Sequence, residues 1–247
     1  MPPAASRPTA DEVLSAAHHW YHVVELEPGV VTPGWIDLRP HVAATRLPAS
    51  LAGLRALDLG TFDGFWAFEL ERRGAAVIGI DIDQIPPPDT PRSRWDQVQQ
   101  ELGGSVPGTG FELLRRWFDS SVERRSINVY DLTPEAVDGP VDLVFLGAML
   151  QHLRDPVGAL ERAREVLRPG GQLVLFEPID KKLSKQSDPM ARLKIGSTIW
   201  TWWYANRACL HEWVATAGFT DLRDLGHTDV VDSTGNSQRL VTLHATA

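Results

Sequence analysis

The sequence predicts an α/β fold in which parallel strands alternate with helices. The first observation is a short apolar run, Leu54 to Leu59, that ends at a glycine as a buried parallel strand does. The second is a helix predicted from Phe65 to Arg73, where apolar residues recur at helical spacing before Gly74 ends it. The third is another apolar run, Val77 to Ile80, followed at once by an acid. Together they predict a β-α-β unit that binds an adenosine-bearing cofactor.

The turn between the first strand and the helix, Gly60 to Gly64, is where we expect the cofactor to bind. Glycine at both ends lets the backbone approach a ligand closely. The helix that begins near Phe65 points its free N–H groups into the turn. Phe62 stands where such loops often carry a middle glycine. Asp81, at the end of the second strand, is placed to accept hydrogen bonds from both ribose hydroxyls.

Asp58, inside the first strand, discriminates between cofactors that share this unit. A carboxylate there is poorly placed beside the pyrophosphate of a dinucleotide. It suits a cofactor with a cationic amino-acid end, such as S-adenosylmethionine. The alternative is that Asp58 only accepts hydrogen bonds from amides of the turn. We therefore expect S-adenosylmethionine as the cofactor.

Capping and periodicity predict the other elements. Thr9 and Glu12 form a capping box, which predicts a helix from Ala10 to about Tyr21. Further helices are predicted at Trp95–Leu102, at Phe111–Val122, after Asp155-Pro156, and from the cap Asn206 to Ala217. A fourth strand is predicted at Val141–Gly147, a fifth at Gln172–Glu177, and a closing antiparallel pair at Leu222–Leu225 and Gln238–Ala245.

The stretch Gly-Thr-Phe-Asp-Gly-Phe-Trp-Ala-Phe-Glu, with Asp58 and Asp81, resembles motifs I and II of class I S-adenosylmethionine-dependent methyltransferases. More narrowly it is similar to a bacterial subgroup related to the tRNA wobble-uridine carboxymethyltransferases, from Trp20 to about Phe219. The resemblance implies a Rossmann-like class I methyltransferase fold, with a seven-stranded, mostly parallel sheet and helices on both faces. It also implies a lid or entrance segment over residues 1–50 and a methyltransferase domain over residues 51–247. Residues at about 178–205 belong to no standard part of this fold, and we expect them to form an acceptor cap.

The same resemblance extends the cofactor site to further strand ends. Ser126 to Leu132 resembles the end of the third strand, and Asn128 stands where relatives place an acid against the adenine amino group. An amide oxygen can accept that N–H as a carboxylate can. The predicted cofactor-binding residues are Asp58, Gly60, Thr61, Phe62, Gly64, Asp81, Ile82, Asn128, Val129, Leu146 and Gly147.

Methyl transfer needs a base only when the acceptor must lose a proton, and two residues stand where a base could act. His152 follows the fourth strand and Glu177 ends the fifth, at the carboxyl edge where open α/β sheets bind ligands. The alternative for His152 is a structural role in the cofactor loop.

Aromatic residues favour an apolar or aromatic acceptor pocket, with core packing as the alternative. Strand alternation would place Trp200 and Trp202 on one face and Trp203 on the other. Trp20, His22 and Arg39 are further lid candidates. The predicted acceptor-binding residues are Tyr21, Trp35, Gln151, Trp200, Trp203 and Tyr204.

Charge and composition limit which partners, location and metal use we expect. The net charge of -8 counts against nucleic acid, although Lys181, Lys182 and Lys185 form a short basic stretch. A single cysteine and the lack of signal-peptide features predict a cytoplasmic protein. No apolar run approaches the ~20 residues of a membrane span. No metal is expected, because the histidines and acids lack metal-binding spacing.

We therefore expect a methyltransferase that uses S-adenosylmethionine to methylate a small, apolar or aromatic organic acceptor on oxygen, nitrogen or carbon. Three alternatives remain open: a tRNA-modifying (carboxy)methyltransferase, an NAD-dependent oxidoreductase, and a protein that binds S-adenosylmethionine without turnover.

Overall fold

The computed structural model describes residues 7–16, 19–102, 104–195 and 200–247. The strands are β1 (Glu25–Glu27), β2 (Val30–Val31), β3 (Arg55–Leu59), β4 (Ala76–Asp81), β5 (Glu123–Ser126), β6 (Val141–Gly147), β7 (Leu167–Ile179), β8 (Ala191–Leu193), β9 (Trp203–Ala205), β10 (Thr220–Val231) and β11 (Ser237–Thr246). The α-helices are α1 (Ala10–Leu14), α2 (Phe65–Arg72), α3 (Trp95–Leu102), α4 (Thr109–Trp117), α5 (Pro156–Glu165) and α6 (Arg207–Thr216).

Seven of these strands form the central sheet, in the order β10-β11-β7-β6-β3-β4-β5. Neighbouring strands from β5 to β7 are parallel, whereas β11 lies antiparallel between β7 and β10. The predicted α/β fold with a seven-stranded, mostly parallel sheet is therefore confirmed. Its carboxyl edge, where open sheets bind ligands, carries the ends of β3, β4, β6 and β7.

Each face of the sheet carries its own hydrophobic core. Leu57 and Leu59 of β3 lie in the core that includes α5 and α6, whereas Ala56 lies in the core that includes Trp66 of α2. Successive side chains of a strand point to opposite faces. Asp58 is two residues after Ala56 in the strand, so its carboxyl group lies on the same face, the one that carries α2.

The N-terminal segment packs on the same side of the sheet. Isolated bridges join His22 to Ile36 and Ile36 to Asp232, beside the end of β10. Trp20 is buried in a third cluster with Trp117, whose indole N–H donates to the Leu26 carbonyl at 3.0 Å. Trp20 is therefore a packing residue that holds the segment on α4, which is the alternative that the sequence left open.

Several boundaries differ from the sequence-based prediction. Helix α1 ends at Leu14, so the prediction of a helix to Tyr21 is wrong; residues 17–18 lie outside the described ranges. Helix α4 runs Thr109–Trp117 rather than to Val122. Strand β10 is much longer than Leu222–Leu225, since it pairs with β11 along most of its length. Within the described ranges, the helices are too short or too polar to cross a lipid bilayer.

Candidate active site

The cofactor turn, which we define as Gly60–Gly64, is held across the ends of β3 and β4. The backbone N–H groups of Gly60 and Thr61 both donate to the Ile80 carbonyl, at 2.9 and 3.0 Å. The Phe62 N–H donates to Asp81 Oδ2 at 2.6 Å, and the Ile82 N–H to Asp81 Oδ1 at 2.8 Å. Each carboxylate oxygen can accept a second hydrogen bond, so Asp81 keeps capacity for a diol.

Glycine is required in this region for more than one reason. Gly60 has φ +77°, and Phe62 also lies in the left-handed region at φ +46°, which explains why such loops often carry glycine there. A Cβ on Gly64 would lie 2.4 Å from the Phe68 ring, and one on Gly147 2.8 Å from Trp66 Nε1. At these last two positions close packing within the protein already excludes a side chain.

Asp58 and Thr61 present buried polar atoms beneath the turn. Asp58 is 1% exposed, and neither its Oδ2 nor Thr61 Oγ1 makes a well-formed hydrogen bond within the described part of the chain. Burial raises the pKa of Asp58 to about 7, partly opposed by the nearby Thr61 hydroxyl and His22. A buried carboxylate oxygen that lacks a well-formed hydrogen bond, as Asp58 Oδ2 does, fits the cationic amino-acid end of S-adenosylmethionine.

At the adenine side, Asn128 lies just beyond the end of β5. Its Oδ1 accepts the Tyr130 N–H at 3.1 Å and caps a short 3-10 turn, in which Val129 is buried. Leu146 is likewise buried in the core, so it presents backbone rather than side chain to the carboxyl edge. The amide of Asn128 thus has a structural partner, and its contact with adenine stays a prediction.

Glu177, predicted as a base, anchors the loop that follows β6. It is 1% exposed, and its Oε1 accepts the N–H groups of Met149 and Leu150 at 2.8 and 3.1 Å. Burial raises the pKa of Glu177 to about 8. Its carboxyl group therefore supports the loop, and its predicted role as a base stays a prediction.

His152, the other predicted base, joins this loop to the acceptor cap. Its Nδ1 lies 2.5 Å from the Trp200 carbonyl, so the neutral ring donates from Nδ1. Its Nε2 lies 3.3 Å from Gln151 Nε2, which also donates to the Ala148 carbonyl at 3.3 Å. Burial lowers the pKa of His152. These contacts are those of a residue that fixes the loop.

The aromatic cap, which we define as Trp200–Ala205, is tied to three loops. The Trp202 backbone N–H donates to the Gln151 carbonyl at 2.8 Å, and its indole N–H to the Asp89 carbonyl at 3.0 Å. The Trp203 indole N–H donates to the Arg154 carbonyl at 3.3 Å. Only Trp203–Ala205 is a strand, paired with β8, so the predicted alternation from Trp200 onward is wrong.

The N-terminal aromatic side chains pack against one another beside the cofactor turn. The Tyr21 and Trp35 rings lie 5.4 Å apart, and Tyr21 meets the Phe62 ring edge-on at 6.1 Å. Arg39, a lid candidate, forms an ion pair with Asp37 at 2.7 Å. Tyr21 also lines a small cavity with Gly147, Ala148 and Phe176, which has room for about one water molecule.

The sequence did not predict that the lid candidate His22 pairs with Asp63 at this site. Asp63, in the cofactor turn, is fully buried, and its Oδ1 lies 2.5 Å from His22 Nδ1. Its Oδ2 accepts the backbone N–H groups of Tyr21 and His22, at 3.1 and 2.8 Å. An acid between Phe62 and Gly64 was the available signal, but its partner lies 41 residues away.

Comparison with known proteins defines the class. A family model described as "Methyltransferase domain" matches residues 35–223. The chain therefore belongs to this methyltransferase family. It is an S-adenosylmethionine-dependent enzyme, as the geometry of the cofactor turn predicts.

Two curated relatives are ubiquinone biosynthesis O-methyltransferases. The chain is 30% identical over 131 residues to ubiquinone biosynthesis O-methyltransferase of Acinetobacter baylyi, covering 53% of this chain and 46% of that protein. The Pseudomonas aeruginosa enzyme of that name is 27% identical over 164 residues, covering 64% and 57%. The chain thus spans about half the length of the curated relatives it matches.

Solved structures share the fold. The N-terminal domain of EvdMO1 with SAH bound superimposes with a TM-score of 0.62 at 19% identity, covering 96% of this chain and 94% of that one. The 1,6-didemethyltoxoflavin-N1-methyltransferase of Burkholderia thailandensis gives a TM-score of 0.52 at 19% identity, covering 85% and 77%. At such identities the likeness is one of fold alone.

Proposed function

We propose that this enzyme transfers the methyl group of S-adenosylmethionine to a small, apolar or aromatic hydroxyl-bearing acceptor. The observation that carries the proposal is the attachment of the aromatic cap to the loop after β6. Trp202 binds the Gln151 carbonyl and Trp200 binds His152, beside the strand end that carries Gly147. Aromatic walls at the ligand-binding edge of a sheet favour a flat or isoprenoid-like molecule.

The curated relatives support the same acceptor class. They are named for O-methylation in ubiquinone biosynthesis, and their matched segments cover about half of their own length. The resemblance to the tRNA wobble-uridine subgroup supports the alternative, a tRNA acceptor. Of the basic stretch near the cap, Lys181 is already paired with Asp229 at 3.2 Å. The overall charge of -8 also disfavours a phosphate-rich partner.

The chain's own groups supply positioning. When bound, S-adenosylmethionine offers an electrophilic methyl group on a sulfonium. Asp81 would hold the ribose hydroxyls, and Asp58 the cationic amino-acid end. The aromatic cap would hold the acceptor plane and exclude water, so that the nucleophile meets the methyl group in line. A flat acceptor would be held mainly by contacts that do not depend on ionic strength.

Labelled S-adenosylmethionine tests the acceptor class against a panel of catechols, prenylated phenols and bulk tRNA. We expect methylation of the phenols at a rate nearly flat with salt. Trp200→Ala and Trp203→Ala should raise the acceptor KM about tenfold, since losing about 1.4 kcal/mol of ring contact corresponds to that factor. The KM for S-adenosylmethionine should stay within about threefold. Phe118→Ala, at an exposed aromatic side chain of the α4 end, is the matched control.

Two outcomes would contradict the proposed function. Methylation of bulk tRNA that falls steeply as salt is added, with both tryptophan variants fully active, would replace the small acceptor with tRNA. Binding of NAD without binding of S-adenosylmethionine would instead remove the methyltransferase mechanism altogether. A calorimetric titration of both cofactors separates these two results.

A further inference from the structure

His22 and Asp63 form a buried pair that the proposed function does not yet use. His22 is 5% exposed, and its Nδ1 lies 2.5 Å from Asp63 Oδ1. Since a carboxylate only accepts, the imidazole must donate from Nδ1. A histidine whose Nδ1–H is held by a carboxylate has a fixed ring orientation, with Nε2 free to take a proton.

The ring is also held in place by its neighbours. It stacks on Phe65 at 5.0 Å with an interplanar angle of 20°, and meets Tyr21 edge-on at 4.7 Å. Asp63 fixes the same segment a second time, by accepting the backbone N–H groups of Tyr21 and His22. The imidazole therefore has little freedom to turn away from the site.

The remaining ring nitrogen, Nε2, has no hydrogen-bond partner among the described residues, although Nδ1 is fully engaged. His22 lines the cavity that also contains Gly147, Ala148 and Phe176. That cavity adjoins the carboxyl ends of β6 and β7. Since the cavity has room for about one water molecule, the hydroxyl group of an acceptor would enter it and meet Nε2. Glu177 Oε1 and His152 Nδ1 are instead engaged by the loop after β6 and by the cap.

We propose that His22, oriented by Asp63, is the general base that removes the acceptor proton during methyl transfer; the inference rests on the proposed function. As the acceptor oxygen bonds to the methyl carbon and the carbon–sulfur bond breaks, the acceptor O–H bond breaks. Its proton passes to His22 Nε2, and the imidazolium later returns it to water. The Asp63 carboxylate stabilises the imidazolium, and Asp58 is a second acid near the ring.

The test variant is His22→Asn. An asparagine side chain can still donate to Asp63 from near the position of Nδ1, but it has no group at Nε2. We expect kcat for catechol to fall by about 10²–10⁴-fold, the usual contribution of a general base, with little change in affinity for S-adenosylmethionine. His41→Asn is the matched control and should keep full activity, because His41 bonds to Thr228 through Nδ1 and is not among the residues that line this cavity.

A series of phenols separates a base from a structural residue. The loss in His22→Asn should shrink from catechol to 4-nitrocatechol, because the more acidic hydroxyl ionises without help. A uniform loss over the series, together with weaker binding of S-adenosylmethionine, would overturn the role as base. If the unsubstituted enzyme methylates no phenol, the proposed acceptor class fails; the variant is then assayed on the acceptor that the panel reveals, and unchanged turnover overturns the base.

A measurement without substitution covers the case in which His22→Asn does not fold. In nitrogen spectra of histidine-labelled protein with S-adenosylhomocysteine, 4-nitrocatechol should shift the His22 Nε2 signal and leave Nδ1–H in place. If 4-nitrocatechol is methylated and the Nε2 signal does not move, His22 does not contact the acceptor and the proposal is wrong.

Discussion

The cofactor turn and the aromatic cap lie at the same edge of the sheet but are held by different kinds of hydrogen bond. In the turn, backbone N–H groups bind the Ile80 carbonyl and the Asp81 carboxylate within one β-α-β unit, while the Asp63 side chain reaches outside it to His22. In the cap, indole N–H groups of Trp202 and Trp203 bind carbonyls 113 and 49 residues away. A site built from one local unit should lose function sharply when one of its groups is removed. A site tied by dispersed contacts should lose it gradually.

The largest effect is expected at Asp81. Asp81→Ala removes the acceptor of the Phe62 and Ile82 N–H groups and the proposed partner of the ribose hydroxyls. A hydrogen bond to a charged group contributes about 1.5–3 kcal/mol, so S-adenosylmethionine should bind about 10- to 100-fold more weakly in calorimetry. Asp83→Ala is the control, since that half-exposed acid pairs with Arg124 at 2.7 Å instead. Equal affinities of Asp81→Ala and the unsubstituted protein would remove Asp81 from the cofactor site.

The second effect is a pH dependence of cofactor binding. The pKa of Asp58 is raised to about 7 by burial, so its carboxyl group is neutral below that pH. It must lose its proton to attract the cationic end of the cofactor. Affinity should therefore rise with pH up to about 7, by at most about tenfold per pH unit, and then level off. Binding in this range should release a proton.

Asp58→Asn should flatten this pH profile and abolish the proton release, which calorimetry in buffers of different ionisation enthalpy measures directly. If the variant keeps the full slope, the released proton comes from another group. Asp81, whose pKa burial also raises, is the first candidate.

A smaller effect is expected in the aromatic cap. Trp202→Phe keeps an aromatic ring over Arg154, whose guanidinium lies 4.9 Å from the indole centroid, but removes the donor to the Asp89 carbonyl. The lost hydrogen bond should lower the free energy of unfolding by about 1 kcal/mol and raise the acceptor KM only slightly. A large rise in the KM for S-adenosylmethionine would show that the cap and the cofactor turn are one unit. Denaturant unfolding and steady-state kinetics give the two numbers.

The same contrast explains what the sequence could predict. The positions of β3, α2 and β4, and the placement of Asp58 and Asp81, follow from apolar periodicity and glycine spacing within 30 contiguous residues. The hydrogen bonds from the Met149 and Leu150 N–H groups to Glu177 do not follow from such local patterns, because they require two strands to be in register. Nor does the pairing of His22 with Asp63, since nothing local marks either residue as the partner of the other. The alternation predicted for the cap failed because β8 pairs only with Trp203–Ala205.

The smallest effect isolates the backbone of the turn. Phe62 has φ +46° and is 42% exposed, and its ring meets that of Tyr21. Phe62→Gly and Phe62→Ala lose the ring equally, so the difference between them reports only the backbone. Glycine normally costs about 0.5–1 kcal/mol relative to alanine in ordered structure. A left-handed conformation costs any other residue about 1–2 kcal/mol, so at position 62 glycine should be more stable than alanine.

We therefore expect Phe62→Gly to be more stable than Phe62→Ala by up to about 1 kcal/mol in denaturant unfolding. Ala67→Gly is the matched comparison, because Ala67 lies inside helix α2, where alanine should be more stable than glycine. If alanine is the more stable residue at position 62 as well, the turn does not hold a left-handed residue there. The Phe62 N–H would then not be fixed towards Asp81, and the local unit that distinguishes the cofactor turn from the aromatic cap would be less rigid than its hydrogen bonds indicate.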